Sequence, residues 1–250
     1  MILARSIQAL LQFATILPLG TPADFDLFAR HSWLYPIAGY VIGVIAALPG
    51  LFAWYCGYTN PLITAAITLS FVFLITGAHH FDGLLDLGDG LMAHGDRKKR
   101  ILAMTDRTIG AGALALGMII SLLTFAGLAS LPPLWTAIAI FCSEVFSKMV
   151  MGIFSAIGKP FHEGMHSYIY ERSKRRFAVY TCILSLPLFL LPEKIIVATG
   201  FIVAVLVFFL MWLVACRCFG GVNGDVIGAS SEISRSVIVL VFVQFFSACA

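Results

Sequence analysis

The chain has 250 residues, of which 60% are hydrophobic and only 12% are charged, with a net charge of +3 and a mean hydropathy of +0.96. Soluble domains average about 25% charged and about 45–50% apolar residues. These values exclude a soluble globular protein, a disordered chain and a disulfide-stapled secreted domain. They predict an all-α integral membrane protein whose few polar residues carry the function.

Stretches of mostly apolar residues, about 17–25 long as a bilayer-crossing helix requires, predict about seven spans. They cover residues 34–55, 62–78, 108–128, 134–154, 177–191, 195–216 and 237–250. Residues 2–17 carry Arg5, Gln8 and Gln12 at helical spacing before Pro18, so we expect an amphipathic N-terminal helix in the membrane interface. No internal repeat divides the chain, and residues 1–250 are expected to form a single membrane-embedded domain.

Basic residues are concentrated in alternate connections between the predicted spans. All but two of the 16 Lys and Arg residues lie there or before the first span, Lys148 and Lys194 being the exceptions. The positive-inside bias assigns this face to the cytoplasm. We therefore expect a multi-pass protein of the cytoplasmic (inner) membrane whose N-terminus and functional site face the cytoplasm.

The densest polar motif, residues 79–90, directly follows the second predicted span. Asp82, Asp86 and Asp89 are spaced four and three residues apart, which places them on one face of a helix. Three like charges there are costly without a cation, and carboxylate oxygens suit Mg²⁺, Mn²⁺ or Ca²⁺. Asp106 lies at the start of the third span and is expected to close the cluster. The pattern favours metal-assisted phosphoryl transfer, with Arg100 and Arg107 available to neutralise phosphates.

Two further polar segments lie near the spans. Residues 219–232 are predicted to form a glycine-rich polar loop between the last two spans, with Asp225 and Glu232 two helical turns apart; a substrate loop and a plain helix–helix turn both fit. Glu144 and Lys148, four residues apart inside the fourth span, favour a buried structural ion pair, with the lining of a polar cavity as the alternative.

Residues 162–166 fit the H-E-x-x-H pattern of zinc proteases, in which His162 and His166 bind zinc and Glu163 activates water. The pattern requires a stable helix, and this segment contains Gly164 and follows Pro160. A protease is therefore kept only as a weak alternative.

Three stretches together resemble one enzyme family, the adenosylcobinamide-GDP ribazoletransferases or cobalamin-5′-phosphate synthases. Residues 80–90, HFDGLLDLGDG, match its H-x-D-G-x-x-D-x-x-D-G signature. Residues 100–110 are similar to its R-x-L-x-x-M-x-D-x-x-I-G stretch, with one residue fewer between the leucine and the methionine, and residues 224–232 are similar to its G-D-x-x-G-A-x-x-E stretch. The order of the stretches and the chain length also agree.

The resemblance implies a reaction. The adenosylcobinamide-phosphate group would pass from adenosylcobinamide-GDP to α-ribazole or its 5′-phosphate with Mg²⁺, releasing GMP. The implied partners are these small molecules and the lipid bilayer, with no nucleic acid. The implied catalytic and metal residues are Asp82, Asp86, Asp89 and Asp106, with Asp89 as a metal ligand or the proton acceptor. The implied substrate-binding residues are His80, Gly83, Gly90, Arg100, Arg107, Gly110, Gly224, Asp225 and Glu232.

The sequence departs from the family pattern at two places. The family commonly has D-S-R where this chain has Asp106-Arg107-Thr108, and it often has Ser-Arg where this chain has Ser143-Glu144. These departures concern nucleotide or corrin contacts and leave the metal residues in place.

Two other functions remain open from the residues alone. A CDP-alcohol phosphotransferase of phospholipid synthesis also uses spaced aspartates on membrane helices, but its usual A-R after the first Asp pair is missing here. A cation transporter would favour charged residues deep in several spans, and here only Glu144 and Lys148 are predicted to lie so deep.

Overall fold

The computed structural model describes residues 2–249, which form helices and connections; their only β-type pairing is an isolated bridge between Pro160 and Val222. Two 3₁₀ turns, Ser32–Leu34 and Leu186–Leu190, accompany the α-helices. The α-helices are α1 Ile2–Ala14, α2 Phe25–Ala29, α3 Tyr35–Tyr55, α4 Pro61–Thr76, α5 His79–Met92, α6 Arg97–Met104, α7 Ala111–Ala129, α8 Pro133–Ile157, α9 Met165–Arg172, α10 Phe177–Ser185, α11 Lys194–Cys218 and α12 Gly224–Cys249.

Long apolar helices dominate the architecture. Five segments within the described residues are long and apolar enough to cross a membrane. They are Ser32–Tyr55, Ala111–Ala129, Pro133–Ile157, Lys194–Cys218 and Gly224–Ala248. The predicted fold class, a polytopic helical membrane bundle, is therefore confirmed. Helix α8 is its centre, because 89% of its most apolar stretch is buried by packing against α3, α10, α11 and α12.

The prediction of about seven spans is too high. Helix α4 has only 16 residues, and α5 is bent from it by 93°, so these two helices form at most a sixth, broken span. In place of the predicted fifth span, the structure has the nine-residue α10 followed by a 3₁₀ turn that contains Pro187. The α-helix ends before this residue because proline interrupts helical hydrogen bonding. The predicted seventh span is the second half of α12; its last residue, Ala250, lies outside the described residues.

The bend between α4 and α5 is made by two residues in the left-handed conformation. Gly77 has φ +59° and Ala78 has φ +56°. Their amides donate to the carbonyl oxygens of Leu74 and Phe73, at 3.3 and 3.0 Å, which closes the end of α4. This conformation is sterically unfavourable for Ala78 by about 1 kcal/mol, because the residue has a Cβ atom. The acidic helix α5 consequently leaves the direction of α4 instead of extending it.

Helix α12 begins much earlier than its apolar half suggests. Residues 219–223 form a short connection, and the helix starts at Gly224, so the prediction of a polar loop through residue 232 is wrong. The side chain of Asn223 caps this start, since its Oδ1 accepts from the Val226 amide at 3.0 Å. Arg235, assigned from the sequence to a cytoplasmic connection, lies inside α12 and is 1% exposed.

The predicted N-terminal helix is confirmed and ends at Ala14, three residues before the predicted boundary. It buries one face, which consists of Ser6, Ala9, Leu10 and Ala14. Because these residues recur at three- to four-residue spacing, the helix is amphipathic.

Candidate active site

A cavity of about 930 Å³ brings together residues that are far apart in the sequence. Its acidic lining residues are Asp82, Asp86, Asp89, Asp106 and Asp225. We call it the acid-lined cavity. Of the other predicted site residues, His80, Arg107 and Gly224 also line it. Gly83, Gly90, Arg100, Gly110 and Glu232 are not among its lining residues.

Helix α5 supplies three of these acids from one face, as the four- and three-residue spacing predicts. The carboxylates of Asp82 and Asp86 accept no hydrogen bond from another protein group within residues 2–249, and no Lys or Arg of that part of the chain lies within ion-pair distance of them. Both carboxylates are therefore available to an external cation.

Asp89 has a different environment from its two neighbours on α5. Its Oδ2 accepts from the Gly110 amide and its Oδ1 from the Ala113 amide, both at 2.8 Å. These amides belong to the start of α7, where backbone donors lack helical partners. A carboxylate is also favoured at the positive end of the helix dipole. Asp89 thus fastens α7 to α5 with both of its oxygens.

The predicted glycines serve close helix packing. A Cβ added to Gly110 would lie 2.5 Å from Asp89 Oδ1. A Cβ added to Gly83 would lie 2.8 Å from the Asp225 carbonyl oxygen, and one on Gly90 would lie 2.9 Å from Met104 Cβ. Glycine at position 83 therefore lets the first turn of α12 lie directly against α5, which brings Asp225 to the cavity.

Asp225 and Asn223 form a polar corner of the cavity at the start of α12. Asn223 Nδ2 donates to Asp225 Oδ2 at 2.6 Å while its Oδ1 caps the helix. Both residues line the cavity. The sequence did not predict Asn223 as a site residue. The available signal was its residue type, because asparagine is one of the preferred N-cap residues of a helix.

The connection between α6 and α7 supplies the remaining predicted residues. Asp106 Oδ1 accepts from the Thr108 amide at 3.1 Å, which leaves its second oxygen free of protein donors among residues 2–249. Arg107 also lines the cavity. Arg100 does not, since its Nη1 donates to the Leu91 carbonyl at 2.6 Å and covers the end of α5.

Two histidines of the H-E-x-x-H segment line the cavity from another side, but the geometry does not fit a zinc protease. Helix α9 begins at Met165, so His162 and Glu163 precede it and the required single helix is missing. His166 Nε2 is 2.8 Å from the Gly158 carbonyl oxygen, and its Nδ1 is buried without a partner among residues 2–249. Burial lowers the pKa of the His166 imidazole and favours the neutral ring.

Glu232 belongs to a second polar region, the buried ionic cluster of Glu144, Lys148, Glu232 and Arg235. Lys148 Nζ lies 3.1 Å from Glu144 Oε2, and Arg235 pairs with both Glu144 and Glu232. Lys148 also donates to Ser231 Oγ at 2.9 Å. The expected buried ion pair is confirmed, and it is one part of a four-charge arrangement that joins α8 to α12.

No three His, Cys, Asp or Glu side chains between residues 2 and 249 converge closely enough to hold a metal ion on their own. The carboxylates share a cavity, but they stand apart around it. Mg²⁺ usually binds to one or two carboxylates together with substrate phosphates and water, and it seldom uses an all-protein cage. The hard oxygen donors of the cavity match that mode of binding.

The fold and the cavity define a polytopic membrane protein with an acid-lined polar site. The family model described as Cobalamin-5-phosphate synthase matches residues 6–243, and the chain belongs to this family. It is accordingly a transferase of cobalamin biosynthesis, and the resemblance in its three motifs is confirmed.

Curated relatives agree with the family match over almost the whole chain. The adenosylcobinamide-GDP ribazoletransferase of Methanocella arvoryzae is 34% identical, covering 93% of both chains. That of Methanococcoides burtonii is 31% identical over 92% of this chain and 88% of its own. That of Pyrococcus furiosus is 31% identical over 93% of this chain and 96% of its own. No solved structure matches the chain.

Proposed function

We propose that the acid-lined cavity transfers adenosylcobinamide phosphate from adenosylcobinamide-GDP to a ribose hydroxyl of α-ribazole or its 5′-phosphate. A new phosphorus–oxygen bond forms to the acceptor, the bond to GMP breaks, and the hydroxyl proton passes to a carboxylate. The observation that carries this proposal is the gathering of five aspartates and Arg107 in one cavity of a chain from this family. The family match favours it over CDP-alcohol phosphotransfer, zinc proteolysis and cation transport.

We propose that Mg²⁺ binds between the donor's diphosphate and one or two of the carboxylates of Asp82, Asp86 and Asp106, because each of these lines the cavity and has carboxylate oxygen free of protein donors among residues 2–249. The ion, when bound, would neutralise the diphosphate oxygens of the donor and so weaken the bond to the leaving nucleotide. Arg107 lies in the same cavity and would balance charge on phosphate oxygens outside the metal's reach.

Asp89 takes a positioning role in this proposal. Because both of its oxygens accept backbone amides of α7, the proton acceptor is assigned to the carboxylate of the Asp82–Asp86 pair that the ion leaves free. Asp225, oriented by Asn223, is the proposed contact to hydroxyl or ring nitrogen donors of a substrate. Glu232 holds the buried ionic cluster instead of touching substrate.

We propose that the cavity opens to the cytoplasm of a cell with an inner membrane. Arg107 lines the cavity, as does Met104 at the end of α6, the helix whose first turn carries the basic residues 97–100. Basic residues favour the cytoplasmic side of a membrane. Both proposed substrates are polar, which also requires access from water.

The direct test supplies purified protein in liposomes with adenosylcobinamide-GDP and α-ribazole, and measures GMP and the corrinoid product by chromatography. We expect GMP release that stops with EDTA and returns with Mg²⁺. A parallel reaction with a CDP-lipid and an alcohol is expected to release no CMP. Failure of folded, Mg²⁺-supplied protein to release GMP from adenosylcobinamide-GDP with either α-ribazole or its 5′-phosphate as acceptor would overturn the proposal.

A further inference from the structure

A second cavity of about 420 Å³ lies apart from the acid-lined cavity and carries the opposite charge. Its walls are residues 30–33, between α2 and α3, and residues 172–177, between α9 and α10. Four cationic side chains line it, from Arg30, Arg172, Lys174 and Arg176. We call it the basic cavity. A hydrogen bond of 2.6 Å between Ser32 and Ser173 holds its two walls together.

The positive charge of the basic cavity is only partly balanced. Asp26 pairs with Arg30 and accepts from Arg172 Nε at 2.6 Å. Lys174 and Arg176 have no carboxylate within ion-pair distance among residues 2–249. Cations gathered around a common space repel one another, so an anion placed there would be stabilised by all four.

The position of the basic cavity matches the depth of lipid headgroups. It lies where the spanning segment Ser32–Tyr55 begins and where the apolar α10 begins. Trp33 and Tyr180 stack edge to face there with ring centroids 5.9 Å apart. Aromatic and basic residues together at the end of a span are typical of the membrane–water interface.

An exposed apolar surface continues from the basic cavity along α10 and onto Leu186, the first residue of the 3₁₀ turn that follows. Val179, Ile183 and Leu186 are 58%, 53% and 49% exposed. Their spacing of four and three residues places them on one helix face. A ligand with a phosphate in the cavity therefore has an apolar surface beside it on which acyl chains can lie.

We infer that the basic cavity binds the phosphate of an anionic phospholipid, whose acyl chains follow the exposed face of α10. Basic pockets between membrane helices bind such headgroups through charge. A soluble phosphate would make the same ionic contacts but would leave the apolar face of α10 unused. The site is separate from the proposed reaction, although α9 adjoins both cavities: His166 lines the acid-lined cavity and Arg172 lines the basic cavity.

The test uses the full chain in nanodiscs that contain equal amounts of phosphatidylcholine and phosphatidylglycerol, with native mass spectrometry to count the lipids that stay bound. We expect wild type to retain phosphatidylglycerol preferentially. The double variant Lys174→Gln/Arg176→Gln should lower this preference about 30-fold, since each basic residue contributes about fivefold. The matched control Lys98→Gln/Arg175→Gln removes two exposed charges outside both cavities and should keep it.

Equal losses in the two double variants would overturn the site, because they would reflect general surface charge. Displacement of phosphatidylglycerol from wild type by excess inorganic phosphate would assign the cavity to a soluble anion and overturn the lipid assignment.

A second measurement does not depend on the folding of the charge variants. Trp33, one of four tryptophans, lines the basic cavity, so the total tryptophan fluorescence of wild type should be quenched more by phosphatidylglycerol brominated high on its acyl chains than by equally brominated phosphatidylcholine. Trp33→Phe should remove this difference, which assigns it to the cavity. Equal quenching by the two lipids in wild type would contradict the proposal.

Discussion

The acid-lined cavity and the buried ionic cluster contain similar side chains in opposite situations. In the cluster, Glu144 and Glu232 each face a cation, and all four charges are buried. In the cavity, Asp82 and Asp86 have no cationic partner among residues 2–249. Under the proposed function, the partners of a charged residue, more than its depth in an apolar span, distinguish a structural role from a chemical one.

Helix α12 contributes to both regions. Asp225 lies at its first turn and lines the cavity, and Glu232 lies two turns later inside the cluster. The cluster therefore fixes the position of the same helix that presents Asp225. Loss of charge in the cavity should affect chemistry, and loss of charge in the cluster should affect folding.

The largest effect is expected from Asp86→Asn, which keeps the shape of the side chain and removes its charge. We expect the turnover number to fall about 10²–10³-fold, as when a group that stabilises transition-state charge is lost, with little change in the unfolding temperature. GMP release over a range of Mg²⁺ concentrations measures the effect. Asp96→Asn is the matched control, because Asp96 lies outside the cavity and Asn also caps helices. Equal turnover numbers for the two variants would remove Asp86 from the site.

The second largest effect is expected in the buried ionic cluster and concerns stability instead of turnover. Glu144→Gln leaves Lys148 and Arg235 opposed by Glu232 alone, and an uncompensated buried charge costs about 3–5 kcal/mol in the free energy of unfolding. The neutral double variant Glu144→Gln/Lys148→Met should recover part of that loss. Thermal unfolding in detergent measures both. A single variant as stable as wild type would show that the cluster does not hold α8 to α12.

A smaller effect is expected from Asp89→Asn. The amide group would place a donor against the backbone amide of Gly110 or Ala113, which weakens the attachment of α7 by about 1–2 kcal/mol. The Mg²⁺ concentration for half-maximal activity should stay at the wild-type value. If that concentration rises as far as it does in Asp86→Asn, Asp89 is a metal ligand after all.

The smallest effect concerns pH. The pKa of His166 is lowered below its usual 6.5 because burial disfavours the charged ring. Protonation of Nδ1 would create a donor that has no acceptor among residues 2–249. His166 therefore binds a proton more tightly in the unfolded chain than in the folded protein. The free energy of unfolding has its full value above pH 6.5 and decreases as the pH falls below 6.5. The slope is at most about 1.4 kcal/mol per pH unit. The unfolding temperature of His166→Gln, measured from pH 7.5 to 5.5, should fall less than that of wild type; parallel curves would contradict the assignment.

The sequence predicts local features of the site better than long-range ones. The spacing of Asp82, Asp86 and Asp89 fixes a common helix face, and the structure contains that face. The structural use of Asp89 depends on amides at Gly110 and Ala113, which no spacing within α5 indicates. The metal assignment itself remains a proposal.

The start of α12 was also predicted wrongly because it depends on contacts between residues that are distant in the sequence. Ser231, Glu232 and Arg235 suggest a polar connection when only neighbouring residues are considered. In the structure Ser231 accepts from Lys148 and Arg235 pairs with Glu144, and both of these α8 residues lie more than 80 residues earlier in the chain. Arg235 also pairs with Glu232. Those partners satisfy the charges and allow a helix at a polar stretch of sequence.

The left-handed pair Gly77–Ala78 also determines where the chain tolerates changes of length. One residue inserted at this joint would change the direction in which α5 leaves α4 and would displace its aspartates from the cavity. The exposed tip at residues 93–96, beyond the last turn of α5, carries no such constraint on orientation. A fluorescent or affinity tag is therefore best placed at the tip, and the joint is the position where a single-codon insertion would silence the enzyme without removing any of its polar side chains.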